Sequence, residues 1–217
     1  METVLTIDGP SGAGKGTVSR LIAGELGWNY LDSGAIYRAL ALEITEKDIE
    51  HGSIEGIVEA ALAMDLRFEC GEERAVLLNG NDITDLLALE STGNTASKIA
   101  AIPEIRAALL QKQHDFLQAP GLVADGRDMG TVVFPDAKFK VFLTASAEER
   151  AQRRYKQLKL KGIDANLAAI TADIQERDQR DSERQISPLV PAVDAVYIDS
   201  SAMSIQDVVK EVLSLVR

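Results

Sequence analysis

The chain has 217 residues, 46% of them apolar and 26% charged, which is ordinary globular composition at a length that suits one domain, or one core with small insertions. Its 23 Lys and Arg stand against 34 Asp and Glu, a net charge of −11, which argues against a protein that coats nucleic acid and leaves room only for a local basic pocket. Cys70 is the lone cysteine, so no disulfide framework forms within the chain, and with His51 and His114 it offers no zinc spacing. The start, METVLTIDG, lacks the basic and long apolar stretches of a signal peptide. No apolar run approaches the roughly 20 residues of a membrane span, so the expectation is a soluble, reduced, cytoplasmic protein.

In chain order, Thr3 to Ile7 is a short apolar, β-branched run that stops at the breaker cluster Asp8-Gly9-Pro10. From Lys15 the spacing turns helical, with Val18, Leu21, Ile22 and Leu26 on one face and Gly27 as C-cap. Further buried strands are expected at Trp28 to Leu31, Gly121 to Asp125, Phe139 to Leu143 and Ala195 to Asp199. Helices are expected over Ile36 to Thr45, Glu104 to Leu117, Ala147 to Lys161, Asn166 to Arg184 and Ile205 to Val216. That alternation predicts an α/β fold with a parallel sheet covered by helices on both faces. Asp65 to Thr84 breaks it: short strands joined by Cys70-Gly71-Glu72-Glu73 and by Asn79-Gly80-Asn81-Asp82 read as a small antiparallel insertion.

Gly9-Pro10-Ser11-Gly12-Ala13-Gly14-Lys15-Gly16-Thr17 is a phosphate-binding loop between a strand and a helix. Its glycines let consecutive N–H groups turn inward, and with the helix N-terminus these make an anion cradle. Lys15 can reach the β- and γ-phosphates. The general pattern asks for Ser or Thr directly after the lysine as a Mg²⁺ ligand. Here Gly16 intervenes, which leaves direct coordination by Thr17 open and points to Mg²⁺ held mainly by nucleotide oxygens and water.

An acidic chain that handles phosphates must gather its cations, and four places do so. In Leu31-Asp32-Ser33-Gly34-Ala35-Ile36-Tyr37-Arg38 a serine at a helix start precedes an arginine by one turn, which suits either a phosphate or a plain N-cap. Asp125-Gly126-Arg127-Asp128-Met129-Gly130 follows a strand, where parallel sheets open their ligand crevice. Arg150, Arg153 and Arg154 share a helix face, with Lys156, Lys159 and Lys161 beyond them, as a mobile lid or a solvated face. Arg177, Asp181 and Arg184 share another face, as an internal ion-pair ladder or an edge offered to a nucleotide.

GPSGAGKGT, LDSGAIYR, GNTASKIAA, ADGRDMGTVVFPDA, ERDQRDSER and PLVPAVDA, in this order, resemble the bacterial-type cytidylate kinases of the P-loop nucleoside monophosphate kinase superfamily, over about Val4 to Val216. The resemblance implies a P-loop kinase core at about 1–35, 90–150 and 185–217. It implies a monophosphate-binding insertion at about 36–89, with its small sheet at 65–84, and a lid at about 150–165. The implied reaction is ATP plus CMP or dCMP to ADP plus CDP or dCDP, with Mg²⁺ brought by ATP, in a monomer without nucleic-acid or membrane partners. Residues 9–17 would bind ATP phosphates, with Arg153. Lys15, Arg127, Arg150 and Arg154 would be catalytic. Ser33, Arg38, Arg127 and Arg184 resemble holders of the CMP phosphate, Ser97, Arg106 and Asp128 readers of cytosine, and Arg177 and Asp181 pentose contacts, with Tyr37 and Asp125 alongside. The rival readings are another small P-loop kinase with a different monophosphate or a hydroxyl acceptor, and a nucleotide-binding regulator without transfer activity.

Overall fold

The computed structural model describes residues 3–50, 53–70, 74–160 and 162–217. Contacts divide the chain into two compact units, Met1–Asp32 with Phe116–Arg217, and Ser33–Asp115.

The first unit contains β1 (Thr3–Asp8), α1 (Lys15–Leu26) and β2 (Asn29–Asp32). The chain of the second unit intervenes before β6 (Gly121–Gly126), β7 (Phe139–Thr144), α6 (Ala147–Leu160), α7 (Leu167–Glu183), β8 (Val196–Asp199) and α8 (Ile205–Val216). The strands form one parallel sheet in the order β2-β6-β1-β7-β8, with β1 central. Leu5 and Ile7 of β1 join Val18 and Ile22 of α1, Val141, Leu143, and Val208 and Val212 of α8 in one buried cluster. Strand ends are level with one another: Asp8 pairs in register with Gly126, and Asp32 with Asp125. The carboxyl ends of parallel strands are where such sheets bind ligands.

In this unit the strands and helices fall within a few residues of where the periodicity puts them. Gly27 caps α1 at φ 66°, a left-handed conformation that glycine adopts without strain. The sixth helix ends at Leu160, and Lys161 lies outside the described residues.

The second unit holds α2 (Ser33–Glu46), α3 (Ile54–Ala63), β3 (Leu66–Cys70), β4 (Arg74–Leu78), β5 (Asn81–Asp82), α4 (Glu90–Ile99) and α5 (Pro103–His114). The three strands make the expected antiparallel sheet. Asn79 and Gly80 take positive φ between β4 and β5, as a tight hairpin turn requires. The Gly71–Glu73 connection lies outside the described residues, as does His51. Within this unit α4 packs on α2 and α5 on α3. Glu43, buried on α2, accepts from Asn79 Nδ2 at 2.8 Å and pairs with Lys47 at 2.6 Å, tying the hairpin to the helix. Among the described residues no helix is long and apolar enough to cross a membrane.

Candidate functional site

The glycine loop leaves the end of the central strand. Gly9, Gly12 and Gly14 have φ of 150°, 79° and 96°. At Gly9 the close packing is decisive, since a Cβ there would stand 1.9 Å from the Leu143 carbonyl oxygen. No side chain caps the N-terminus of α1, where Gly14 stands. The Lys15 ammonium is buried and donates to the Pro10 carbonyl at 2.9 Å, closing the loop on itself.

Carboxylates at three strand ends surround this lysine electrostatically. Burial pushes the Lys15 ammonium down to about 7, with Arg127 adding to it and Asp125, Asp32 and Asp8 opposing. Burial and the neighbouring Asp32 push Asp125 up, against the pull of Lys15 and the Tyr30 hydrogen bond. That bond runs from the Tyr30 hydroxyl to Asp125 Oδ2 at 2.6 Å, and the Arg20 guanidinium lies 5.9 Å from the Tyr30 ring centre. Burial raises Asp8 to about 6 although two backbone N–H groups, of Gly130 and Met129, bond its carboxylate.

Arg127, Arg150 and Arg184 of this unit point inward. Arg127 Nε donates to Asp181 Oδ2 at 2.8 Å. Burial works against both charges, yet the pairing holds Arg127 above its ordinary range and Asp181 below it. The face carrying Arg177, Asp181 and Arg184 is therefore not a self-contained ladder: Asp181 reaches Arg127, 54 residues away in the chain. Arg184 lies 3.9 Å from Asp128 and also donates to the Ser187 carbonyl. Arg150 is buried rather than on a solvated face: it donates to the Ala145 carbonyl and to the Ser11 carbonyl of the glycine loop, both at 2.9 Å, and forks onto Asp178. Arg153 bonds the Ala13 carbonyl at 3.4 Å and the Ser200 carbonyl at 2.6 Å. Arg154 and Arg177 are half-buried, and Lys156 and Lys159 exposed. Two of the three expected lid arginines thus bond the glycine loop directly.

In the second unit, Ser33 begins α2 and its hydroxyl donates to Gln113 Oε1 at 2.7 Å. Arg38, one turn further, donates to the Leu87 carbonyl. Arg106 of α5 is buried, donates to the Ala100 carbonyl at 3.3 Å and lies 5.8 Å from the Tyr37 ring centre. Ser97 is buried on α4.

Sequence reasoning missed Asp8, Tyr30, Gln113, Asp178 and Ser200. Asp8 reads as a turn-breaking residue, and only its place at the mouth of the loop hints at more. Asp178 sits inside the charged run next to Arg177, so its spacing alone does not separate it from surface charge.

A glycine loop at the end of a central parallel strand, with a buried lysine and converging guanidinium groups, defines a P-loop phosphate-binding protein. The family model for cytidylate kinase matches residues 5–217. The cytidylate kinase of Methylococcus capsulatus is 56% identical over 214 residues, covering 99% of this chain and 96% of that protein. Those of Aeromonas hydrophila and Stutzerimonas stutzeri are 54% and 53% identical, over 99% and 97% of this chain and 94% and 93% of theirs. The chain belongs to the cytidylate kinase family.

Proposed function

We propose that the chain transfers the γ-phosphoryl group of ATP directly to CMP and dCMP, giving ADP and CDP or dCDP. The observation that carries this is the family match over residues 5–217 on a chain whose loop lysine is present and buried. In this reading the acceptor residues are Ser33, Tyr37, Arg38, Ser97, Arg106, Asp125, Arg127, Asp128, Arg177, Asp181 and Arg184. Arg150 and Arg154 join Lys15 and Arg127 at the transferring group, with Arg153 on ATP. The reading includes a monomer in the cytoplasm, where ATP and nucleoside monophosphates are supplied.

Phosphoryl transfer asks the protein for alignment and charge compensation more than for covalent chemistry. The acceptor is already a phosphate anion, so no strong base is needed, and the Asp125 carboxyl is engaged by Tyr30 in any case. Two anions must meet, and inward-facing guanidinium groups with Lys15 offset their repulsion. Excluding water prevents hydrolysis of the donor.

The residues also fit a Mg²⁺ carried by ATP. A Cβ on Gly16, where other loops of this kind carry Ser or Thr, would stand 3.8 Å from Asp125 Oδ2, so a hard oxygen donor lies beside the position that lacks one. The Thr17 side chain is exposed at the first turn of α1. Asp125, its water shell and Thr17 would meet the ion, which when bound draws charge from the phosphate oxygens.

The test is ADP release, coupled to an absorbance readout, with CMP, dCMP, UMP, AMP and a polyol as acceptors. Turnover with CMP and dCMP is expected. Its absence with both overturns the reading, and turnover with the polyol alone makes the chain a hydroxyl kinase.

A further inference from the structure

Thr6 and Asp8 stand two residues apart on β1 and so project from one face of the sheet, while Leu5 and Ile7 enter the cluster on the other. What lies on the Thr6–Asp8 face is backbone. Asp8 Oδ1 accepts from the Met129 N–H and Oδ2 from the Gly130 N–H, each at 2.8 Å. These two residues open the wide helical turn Met129–Val133. A Cβ on Gly130 would stand 2.8 Å from Thr6 Oγ1 and 3.4 Å from Asp8 Oδ2, so the main chain is laid directly on the strand.

The stretch held in this way is short. It leaves the sheet at Gly126, which pairs in register with Asp8 itself, and returns to the Asp8 carboxylate at Met129. Arg127 and Asp128 lie between these two anchors. We infer that Asp8 is a positioning residue: its carboxylate pins the turn to the central strand and so fixes the directions in which Arg127 and Asp128 meet the acceptor nucleotide. What those two residues touch rests on the proposed function; that Asp8 holds the turn does not.

The residue type supports the assignment. Two adjacent N–H groups need two acceptors, and only an ionised carboxylate presents an acceptor on both oxygens. Such a charge is costly in a dry site, and a residue serving packing alone would be apolar. Asp8 also ends the strand that continues into the glycine loop, so one residue joins the donor loop to the acceptor turn.

The experiment compares the whole chain with Asp8→Asn, which keeps the shape but sets an N–H against an N–H, and with Gly130→Ala, which keeps Asp8 and crowds the turn off Thr6. In ¹H–¹⁵N spectra the Met129 and Gly130 amide protons are expected to move upfield in Asp8→Asn. For both variants KM for CMP is expected to rise about tenfold, the size of losing one charge-assisted hydrogen bond. KM for ATP should stay within about twofold and Tm should not fall in Asp8→Asn. Adding Thr6→Ala to Gly130→Ala should return KM for CMP most of the way. Unmoved amides, an unchanged KM for CMP, or equal losses for both substrates overturn the inference. Absence of CMP turnover in the unaltered protein fails the proposed function instead, and the amide shifts still decide whether Asp8 holds the turn.

Discussion

In the unit made of Met1–Asp32 and Phe116–Arg217, three buried or half-buried carboxylates sit at strand ends, where register sets them level, Asp8, Asp32 and Asp125, with Arg127 just beyond the end of β6. In Ser33–Asp115 the corresponding residues sit on helices, where packing sets them: Ser33 and Arg38 on α2, Ser97 on α4, Arg106 on α5. A strand end is fixed by a ladder of backbone bonds, so a buried charge there has little freedom to escape its surroundings. The first unit can therefore hold Lys15 and three carboxylates in tension. The second keeps a mostly apolar interior, with Glu43 its one buried carboxylate among the described residues. If this contrast is right, substitutions of buried charges in the first unit should have large effects, on activity or on stability, and substitutions in the second should be mild.

The largest effect expected is that of Lys15→Ala. Removing a preorganised cation from the transferring phosphate should lower kcat by about 10³-fold. Because burial disfavours the Lys15 charge, the urea midpoint should hold or rise, with circular dichroism unchanged. A collapse of the fold would mean that the lysine is structural and would break the contrast at its centre.

Arg127→Ala comes next. It leaves Asp181, whose side chain is 5% exposed, without its 2.8 Å partner. Asp181 still feels the charges of Arg177 and Arg184, so losing its bond to Arg127 should cost about 2 kcal/mol in chemical denaturation. Arg127→Ala/Asp181→Ala should be less destabilised than Arg127→Ala alone. Equal losses would mean that Asp181 is satisfied by its own helix.

The pH dependence sharpens the comparison further. Asp8 rises from the ordinary 3.8 to about 6, so between those values the folded chain binds a proton that the unfolded chain has released. Stability must then fall as pH rises through this window, by about 3 kcal/mol for the two pH units. Asp8→Asn lacks this loss. Relative to the unaltered protein it should therefore gain stability between pH 4 and pH 7, measured by urea unfolding at both. A constant difference would remove the strain assigned to the first unit.

How much of this was legible beforehand follows the same divide. The strand, loop and first helix of one unit announce themselves through β-branched residues, glycines and apolar spacing. The eighth helix starts and stops as read, because Ser204 and Asp207 form a capping box at its head. In the other unit α4 escaped notice: its buried face is Thr92, Gly93, Ala96, Ser97 and Ile99, too small and polar to show as periodicity. α3 escaped too, although Ser53 caps it by accepting from the Gly56 N–H. Site residues were legible where a motif concentrates them, as in Asp125 to Gly130. Partners were not: spacing could suggest that Asp181 meets Arg177 and Arg184, but nothing local says that it meets Arg127. Asp8 was hidden for the same reason, since its partners are backbone N–H groups 121 and 122 positions away.

The smallest expected effect tests the second unit. The Ser33 hydroxyl has a single proton to donate, and it is given to Gln113 Oε1 at 2.7 Å. To hold a phosphate, Ser33 must exchange that acceptor for another. Ser33→Ala therefore removes both roles: about 1 kcal/mol of stability, because the Gln113 oxygen is left buried, and about fivefold in KM for CMP. Gln113→Ala separates them. It should cost similar stability, yet leave KM for CMP unchanged or lower it, because the hydroxyl is then released to the ligand. A rise in KM for CMP as large as that of Ser33→Ala would show instead that the Ser33–Gln113 pair acts as one unit, with the serine held in place rather than held back.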